Sequence, residues 1–455
     1  MSPSVDVDVV VAGAGAAGLA ASLAAAEAGK SVALLEAKET FRFGSNTSMS
    51  TAMVPAAGSR WQAAAGIDDS PERFYDDIMR KTKGSADPIV ARALTNVAPE
   101  LVVWMADNLE VPLSLVTDFH YPGHSRDRCH AVPDRAGRTL HRHLLEAVKC
   151  SEEITVIVPM RVTGVQLEAG ALASVEAETP DGGHEVIRTG SLVLATNGFG
   201  AVPELVHRFI PEIESGLYFG GDGSTGDALS IGAMVGADTA CLDAYQGHGS
   251  VATPHGVLVT WAVVMHGGFL VNALGRRFGN EPTGYSEYAV QVLRQPGGEA
   301  WVIFDGRIDR ACRVFKDYDD LLEVGAVRWA EDVGALAEVI DVDAAVLGAT
   351  IAEADKASRG RVKDPFGRTD WEAPLEAPFA AVKVTGALFH TQGGLRVDDN
   401  ARVLRGGSPI HGLYAAGGAA VGISGHGAEG YLAGNGLLSA LGLGYLAGRS
   451  VGQSG

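Results

Sequence analysis

Residues 7 to 36 leave the chain little freedom of fold. Val7-Asp8-Val9-Val10-Val11 is an almost unbroken β-branched run, the pattern of a strand covered on both faces. Gly13-Ala14-Gly15-Ala16-Ala17-Gly18 follows at once, and the apolar run Leu19 to Ala28 reads as a helix closed by Gly29 in a left-handed cap. Lys30 to Leu35 is a second strand that ends in Glu36. Strand, glycine turn, helix and second strand in this order form a βαβ unit suited to a dinucleotide. Gly13 permits the tight turn, Gly15 lets the backbone approach a pyrophosphate, and Gly18 lets the helix close on the strand. The helix N-terminus, with Ala16 and Ala17 in its first turn, offers N–H groups to the anion. Glu36 is spaced to accept both ribose hydroxyls, and an acid here disfavours a 2′-phosphate, leaving FAD or NAD.

The remaining composition narrows the class. At 455 residues the chain is roughly three times the ~150-residue prior for one domain, so two or three cores are expected. Its 59 glycines are about 13% of the chain, nearly double the usual ~7%, which implies many turns or close backbone approaches. A formal net charge of −19 is the wrong sign for binding nucleic acid. Cys129, Cys150, Cys241 and Cys312 form no C-x-x-C pair, so no metal site is expected. Asp6 and Asp8 stand where a secretory signal carries bases, which makes a cytoplasmic location the expectation. The uncharged stretches Val9–Ala26 and Gly430–Gly448 are built of Gly, Ala and Ser, so they read as buried helices and not as a stable membrane anchor.

Further along, no second strand-plus-G-x-G-x-x-G unit appears, and a separate nicotinamide domain is not expected. Residues 154 to 195 read as short strands in hairpins, with a turn at Pro180-Asp181-Gly182-Gly183 and a buried strand at Ser191 to Leu194. A His- and Arg-rich loop, Phe119 to His130, interrupts helical spacing.

Eight short motifs in one order then carry a resemblance. They are Gly13 to Gly18 with Glu36; Gly44-Ser45-Asn46-Thr47; Leu194 to Gly200; Ser224-Thr225-Gly226-Asp227; Gln246-Gly247-His248; Val271-Asn272 with Arg277 to Glu281; His390-Thr391-Gln392-Gly393-Gly394; and Leu413 to Gly418. Together they resemble the fumarate reductase/succinate dehydrogenase flavoprotein superfamily over nearly the whole chain. The resemblance implies an α/β fold: a Rossmann-type FAD-binding domain, a parallel sheet with added β-hairpins, split by an α+β capping domain. The expected division is 1–242 and 379–455 for the FAD domain and 243–378 for the cap, with the active site between them. It implies FAD contacts from Glu36, Ala37 and Lys38; Ser45, Asn46, Thr47 and Ser48; Arg161 and Val162; Thr196, Asn197 and Gly198; Asp227; Gly418; and Gly434, Asn435, Gly436 and Leu437. Succinate dehydrogenases attach FAD through a histidine in the loop after the ribose acid. This chain has Asn46 beside Thr47, so non-covalent FAD is expected.

The family's fumarate reductases hold substrate carboxylates with two histidines, a Thr-Glu pair and an arginine, and a cap arginine donates the proton. Here His248 and His390 match, and Thr260 matches, but Trp261 replaces the glutamate and Tyr285 replaces the cap arginine. The segment Gly427 to Leu437 has no basic residue. Its Tyr431 and Gly434-Asn435-Gly436 look like the C-terminal segment of 3-ketosteroid dehydrogenases and related cyclic-ketone desaturases. Thr260, Trp261 and Gly434 are then expected at the substrate.

Removing hydrogen beside a carbonyl needs an α-proton base, a hydride acceptor and a donor to the enolate oxygen. Tyr285, flavin N5 and Tyr431 fill those roles in the first reading, a dehydrogenase desaturating a small-molecule ketone with an external electron acceptor. Tyr288, His124, Arg126, Arg128 and His130 are candidates to share the base's proton; a solvated loop or a phosphate contact is the plainer reading of 119–130. The alternatives are a reductase of an α,β-unsaturated acid, and an isomerase or hydratase that keeps FAD without net redox turnover.

Overall fold

The computed structural model describes residues 6–453. Its βαβ unit comprises the strand Val9–Ala12, the helix Ala16–Glu27 and the strand Val32–Leu35, with both strands fully buried. The strands are parallel neighbours, Val9 opposite Val32 and Ala12 opposite Leu35. They lie at the heart of a nine-stranded sheet whose parallel part runs Ile154–Ile157, Val32–Leu35, Val9–Ala12, Leu192–Leu194 and Ser408–Ala415. This is the expected Rossmann-type core. Arg161–Glu168, Ala171–Glu178 and His184–Arg188 add the antiparallel hairpins.

Ile154–Ile157 departs from the hairpin reading, since it pairs parallel to Val32–Leu35 at the sheet edge. An edge strand is only partly covered, here with Thr155 and Val156 exposed, and partial cover is what a hairpin strand also shows.

A second sheet of seven strands centres on the 13-residue strand Phe379–Thr391. This strand pairs antiparallel with Tyr245–Ala252 on one side and Glu299–Asp305 on the other. The register sets Gln246 opposite His390 and His248 opposite Ala387, with an irregularity between Gln246 and Gly247. Two histidines far apart in sequence thereby reach adjacent strands.

Close helix packing explains much of the glycine content. The C-terminal helix Asn435–Gln453 lies on Ala16–Glu27 through a seam of small residues. A Cβ added at Gly444 would stand 2.3 Å from the Ala17 carbonyl oxygen, and one at Gly448 would stand 2.4 Å from that of Ala21. A spacing of four puts these glycines on one helix face. Among the described residues one helix, Pro88–Asp107, is long and apolar enough to cross a membrane. Its Leu94, Ala98, Leu101 and Met105 are fully buried in the core.

The seam yields a stability test. Gly444→Val must push its side chain into the Ala17 backbone, and overpacking of this kind costs about 1–3 kcal/mol or more. Denaturant unfolding is expected to show a lowered midpoint.

Candidate active site

One continuous cavity runs from the dinucleotide turn to the second sheet. At its cofactor end, Gly13 takes φ +106°, and a Cβ there would stand 2.4 Å from the Ala195 oxygen. Gly18 is equally constrained, because its added Cβ would stand 1.8 Å from the Gly13 oxygen. Gly15 differs: an added Cβ would meet only Thr47 Oγ1, at 3.5 Å. Its missing side chain leaves the space that a pyrophosphate needs.

Glu36 is fixed at the end of its strand, accepting the Ala14 N–H at 2.8 Å on one oxygen and the Lys38 N–H at 2.8 Å on the other. Burial raises its pKa, and the N–H groups of Ala14, Lys38 and Ala37 oppose that shift. Thr47 Oγ1 accepts the Ala16 N–H at 2.9 Å, at the start of the helix. His141, which the sequence reading overlooked, bonds the Ala14 carbonyl through Nε2 at 2.8 Å and so braces the turn. Nothing in its spacing marks it out; only the fold brings it to residue 14.

Ala16, Ala17, Ala37, Lys38, Ser45, Asn46, Val162, Thr196, Asn197, Gly418, Gly434, Gly436 and Leu437 also line this cavity. Arg161 and Asp227 line it as an ion pair, with contacts of 2.9 and 2.6 Å. Asn46 accepts the Gly221 N–H at 2.6 Å and donates to Asn197 Oδ1 at 3.3 Å. Gly18, Ser48, Gly198 and Asn435 stand behind the wall. Ser48 bonds Ser45, and an added Cβ at Gly198 would stand 1.9 Å from Thr391 Oγ1. Asn435 is wholly buried in the first turn of the C-terminal helix. The positive end of that 19-residue helix thus faces the cavity through Gly436 and Leu437. The open cradle at Gly15, the fixed acid at 36 and this helix end suit FAD.

The far end of the cavity is an aromatic box. The His248 ring lies between Tyr285, 4.9 Å away and 26° from parallel, and Phe389, 5.1 Å away and 19° from parallel. Trp261 meets His248 edge-on at 5.7 Å. Tyr431 stands edge-on to both Tyr285 and His390, each at 5.9 Å. The Tyr285 and Tyr431 hydroxyls interact, and the Gly436 N–H donates to Tyr431 Oη at 3.3 Å. Gly436 has to be glycine here, because an added Cβ would stand 2.8 Å from the His390 ring. Thr260, Phe119, Tyr121, Leu258, Met265 and Phe315 complete the wall.

The Ser250 backbone N–H donates to His248 Nδ1 at 3.2 Å, which leaves the proton on Nε2. Gln392 accepts the Ser424 hydroxyl at 2.9 Å on its carbonyl and turns its amide to His390 Nδ1 at 3.0 Å, and the Thr391 carbonyl lies 3.3 Å from the same nitrogen. Burial lowers His248 to about 3 and His390 to about 4, so both rings are neutral at pH 7. Burial likewise raises Tyr285 and Tyr431; for Tyr431 the Gly436 N–H and Tyr285 pull the other way.

The loop 119–130 has a different role from the ones expected of its charged residues. Arg128 is buried in ion pairs with Asp69 at 2.9 Å and Asp77 at 2.6 Å. His124 bonds the Ala433 carbonyl at 3.0 Å, His130 bonds Ser59 at 2.8 Å, and Arg126 is exposed on backbone oxygens. None of the four lines the cavity, nor does Tyr288, whose buried hydroxyl has no partner. The loop's aromatic residues, Phe119 and Tyr121, reach the site instead. Their charged neighbours drew the sequence reading because charge is conspicuous, whereas an aromatic residue in a loop carries no spacing signal.

The chain matches the FAD binding domain family over residues 8–437, and it belongs to that family of flavoproteins; its cofactor is FAD. It is 30% identical to the NADH:fumarate oxidoreductase of Klebsiella pneumoniae over 92% of this chain and 45% of that protein, so it spans about half that relative's length. Among solved structures, the open conformation of a flavocytochrome c3 fumarate reductase superposes with a TM-score of 0.81 at 28% identity, covering 99% of this chain and 79% of the other. A 3-ketosteroid-Δ4-(5α)-dehydrogenase from Rhodococcus jostii, in complex with 4-androstene-3,17-dione, superposes with a TM-score of 0.75 at 24% identity, covering 98% and 97%, and shares the fold. The chain is an FAD-dependent oxidoreductase by family.

Neutral histidines make a prediction about pH. With both pKa values lowered to about 3 and 4, protonation requires pH well below that of an exposed imidazole. Substrate-driven flavin reduction in rapid mixing is expected to show no acid limb from about pH 8 down to about pH 5.5, whereas an exposed histidine would give one near ~6.5. A limb at that position, removed by His248→Gln or His390→Gln, would contradict this.

Proposed function

We propose that the chain removes hydrogen from a carbon–carbon bond beside the carbonyl of a neutral, ring-sized ketone. The observation that carries this reading is the distribution of charge. Every Lys, Arg, Asp and Glu lining the cavity, namely Glu36, Lys38, Arg161, Asp222 and Asp227, belongs to the cofactor end, and the aromatic box has none. A carboxylate entering the box would lose its hydration with no cation to replace it. A ketone needs only hydrogen-bond donors.

Tyr431 is suited to the carbonyl oxygen. Its own oxygen already accepts from Gly436 and interacts with Tyr285, which polarises its O–H for a further acceptor. The Nε2–H of His248 adds a donor on the wall. Tyr285 takes up the α proton while its own phenol proton moves to the Tyr431 oxygen and the Tyr431 proton moves to the carbonyl oxygen, so both tyrosines stay neutral as the enol forms. FAD, held by the Gly13–Gly18 turn, Glu36 and the Gly434–Leu437 segment, supplies the acceptor for the β hydrogen. Trp261, Phe389, Phe119 and Phe315 exclude water. Residues 243–378 act as a cap over this end of the cavity. The FAD is non-covalent, since Asn46 offers an amide already engaged with Gly221 and Asn197.

A second reading has its own support. Burial keeps Tyr285 protonated, a state that donates, and relatives are named as reductases. Run in reverse, the same groups would reduce an α,β-unsaturated ketone. The direction is decided by comparing oxidised enzyme with saturated ketones and reduced enzyme with enones.

Anaerobic mixing with a panel of cyclic ketones is expected to bleach the flavin, while succinate does so poorly. Tyr285→Phe keeps the ring and the FAD but slows bleaching by ~100 to 10,000-fold, the usual contribution of a general base. Acid precipitation releases the yellow colour into solution. Equal bleaching by succinate and the best ketone, or a wild-type rate in Tyr285→Phe, would overturn the reading.

A further inference from the structure

We propose that Lys81, which lies outside the cavity, is the positioning residue that holds Tyr285 against Tyr431, an assignment that rests on reading those tyrosines as the reacting pair. Lys81 is the last residue of the helix Pro71–Lys81. This helix already fastens one wall of the site. Asp77 accepts the Ser125 N–H at 2.8 Å, the Ser125 hydroxyl at 2.7 Å and Arg128 at 2.6 Å, and so secures the loop bearing Phe119 and Tyr121. Burial opposes ionisation of Asp77, but the Ser125 and Arg128 bonds outweigh it and lower its pKa to about 2.

One turn on, Lys81 crosses to the second half of the molecule. Its Nζ donates to the Thr283 carbonyl at 3.0 Å and to Glu287 Oε1 at 2.7 Å. Those two contacts flank Tyr285 by two residues on each side. The turn between them is tightly wound: Gly284 takes φ +150°, and an added Cβ would stand 2.4 Å from Glu287 Oε2. Glu287 Oε2 itself has no hydrogen-bond partner, so Lys81 is the carboxylate's charged contact. Thr82, the next residue, lies against the other tyrosine's segment, where an added Cβ at Gly430 would stand 3.0 Å from Thr82 Cγ2. A single helix end thus abuts the backbone on either side of Tyr285 and immediately before Tyr431.

Burial separates this contact from an ordinary surface pair. The Lys81 and Glu287 side chains are 15% and 13% exposed, whereas the neighbouring Lys83–Glu429 pair is 79% and 68% exposed. Breaking a shielded pair leaves a buried charge without compensation, while exposed pairs contribute little. The rest of the helix Tyr285–Leu293 is anchored separately, since Tyr288, Ala289 and Val292 are fully buried, while in the first turn Ser286 Oγ accepts the Gly247 N–H at 3.0 Å. Loss of Lys81 therefore loosens the turn on either side of Tyr285 without detaching the helix.

The test uses FAD-loaded Lys81→Met, Lys81→Arg and Lys83→Met, read by hydrogen exchange and by rapid mixing with the ketone that bleaches wild type best. In Lys81→Met, amide exchange over residues 281–287 is expected to rise about tenfold or more. The limiting rate of flavin reduction is expected to fall about 10- to 100-fold, as misplacement of a reacting group does, with the half-saturating ketone concentration unchanged within about twofold. Lys81→Arg restores both to within about threefold, because it keeps the charge and the donors. Lys83→Met matches wild type. Unchanged exchange in Lys81→Met, or raised exchange with an unchanged limiting rate, overturns the assignment. If Lys81→Met does not fold, a folded Lys81→Arg that reacts at under a hundredth of the wild-type rate overturns it, and one near wild type supports it. If no ketone bleaches the wild type, the functional reading falls, and the exchange comparison alone decides whether Lys81 holds the turn.

Discussion

The close approach of two helices at a seam without side chains is the constraint on which the site depends. Gly444 and Gly448 let the C-terminal helix rest on the backbone oxygens of Ala17 and Ala21. That contact carries the start of the C-terminal helix, with Gly434, Gly436 and Leu437, to the wall of the same cavity as the dinucleotide turn. Bulkier residues in the seam would push the two helix ends apart. The cofactor end and the Tyr431 segment would then no longer share one cavity.

Along that cavity the chain separates two kinds of chemistry. At the cofactor end, charge is plentiful and paired: Glu36 on backbone N–H groups, Arg161 on Asp227, Lys38 on Asp222. At the other end, four titratable side chains stand together, and burial keeps each of them neutral. A pair of tyrosines and a pair of histidines in low dielectric form a set of directed donors rather than a charged clamp. This contrast, more than any single residue, distinguishes a site for a carbonyl from one for a dicarboxylate.

How much of this is legible in the sequence follows from how local each signal is. The βαβ unit, its glycines and Glu36 lie within residues 7 to 36, where periodicity and turn chemistry act directly, and the structure forms them with boundaries a few residues different. His248, His390, Tyr285 and Tyr431 could be named from motif order, but their meeting depends on a strand register and an edge-on packing that no local pattern encodes. The loop 119–130 misleads for a related reason. Arg128 is conspicuous in sequence, yet its role is to neutralise Asp69 and Asp77 inside the core, and the unremarked Tyr121 lines the site. Lys81 and His141 carry no motif at all, and their importance arises only where chain segments distant in sequence converge.

The central claim is that Tyr285 removes a proton from the carbon beside a neutral carbonyl, in a box with no charge to hold an acid. Rapid mixing of oxidised enzyme with a ketone deuterated at the α carbon tests it most directly. The account predicts a primary isotope effect on flavin bleaching in the wild-type enzyme. An α-deuterated ketone that bleaches the flavin at the same rate as the unlabelled one, while the matched saturated acid shows the isotope effect, would contradict it.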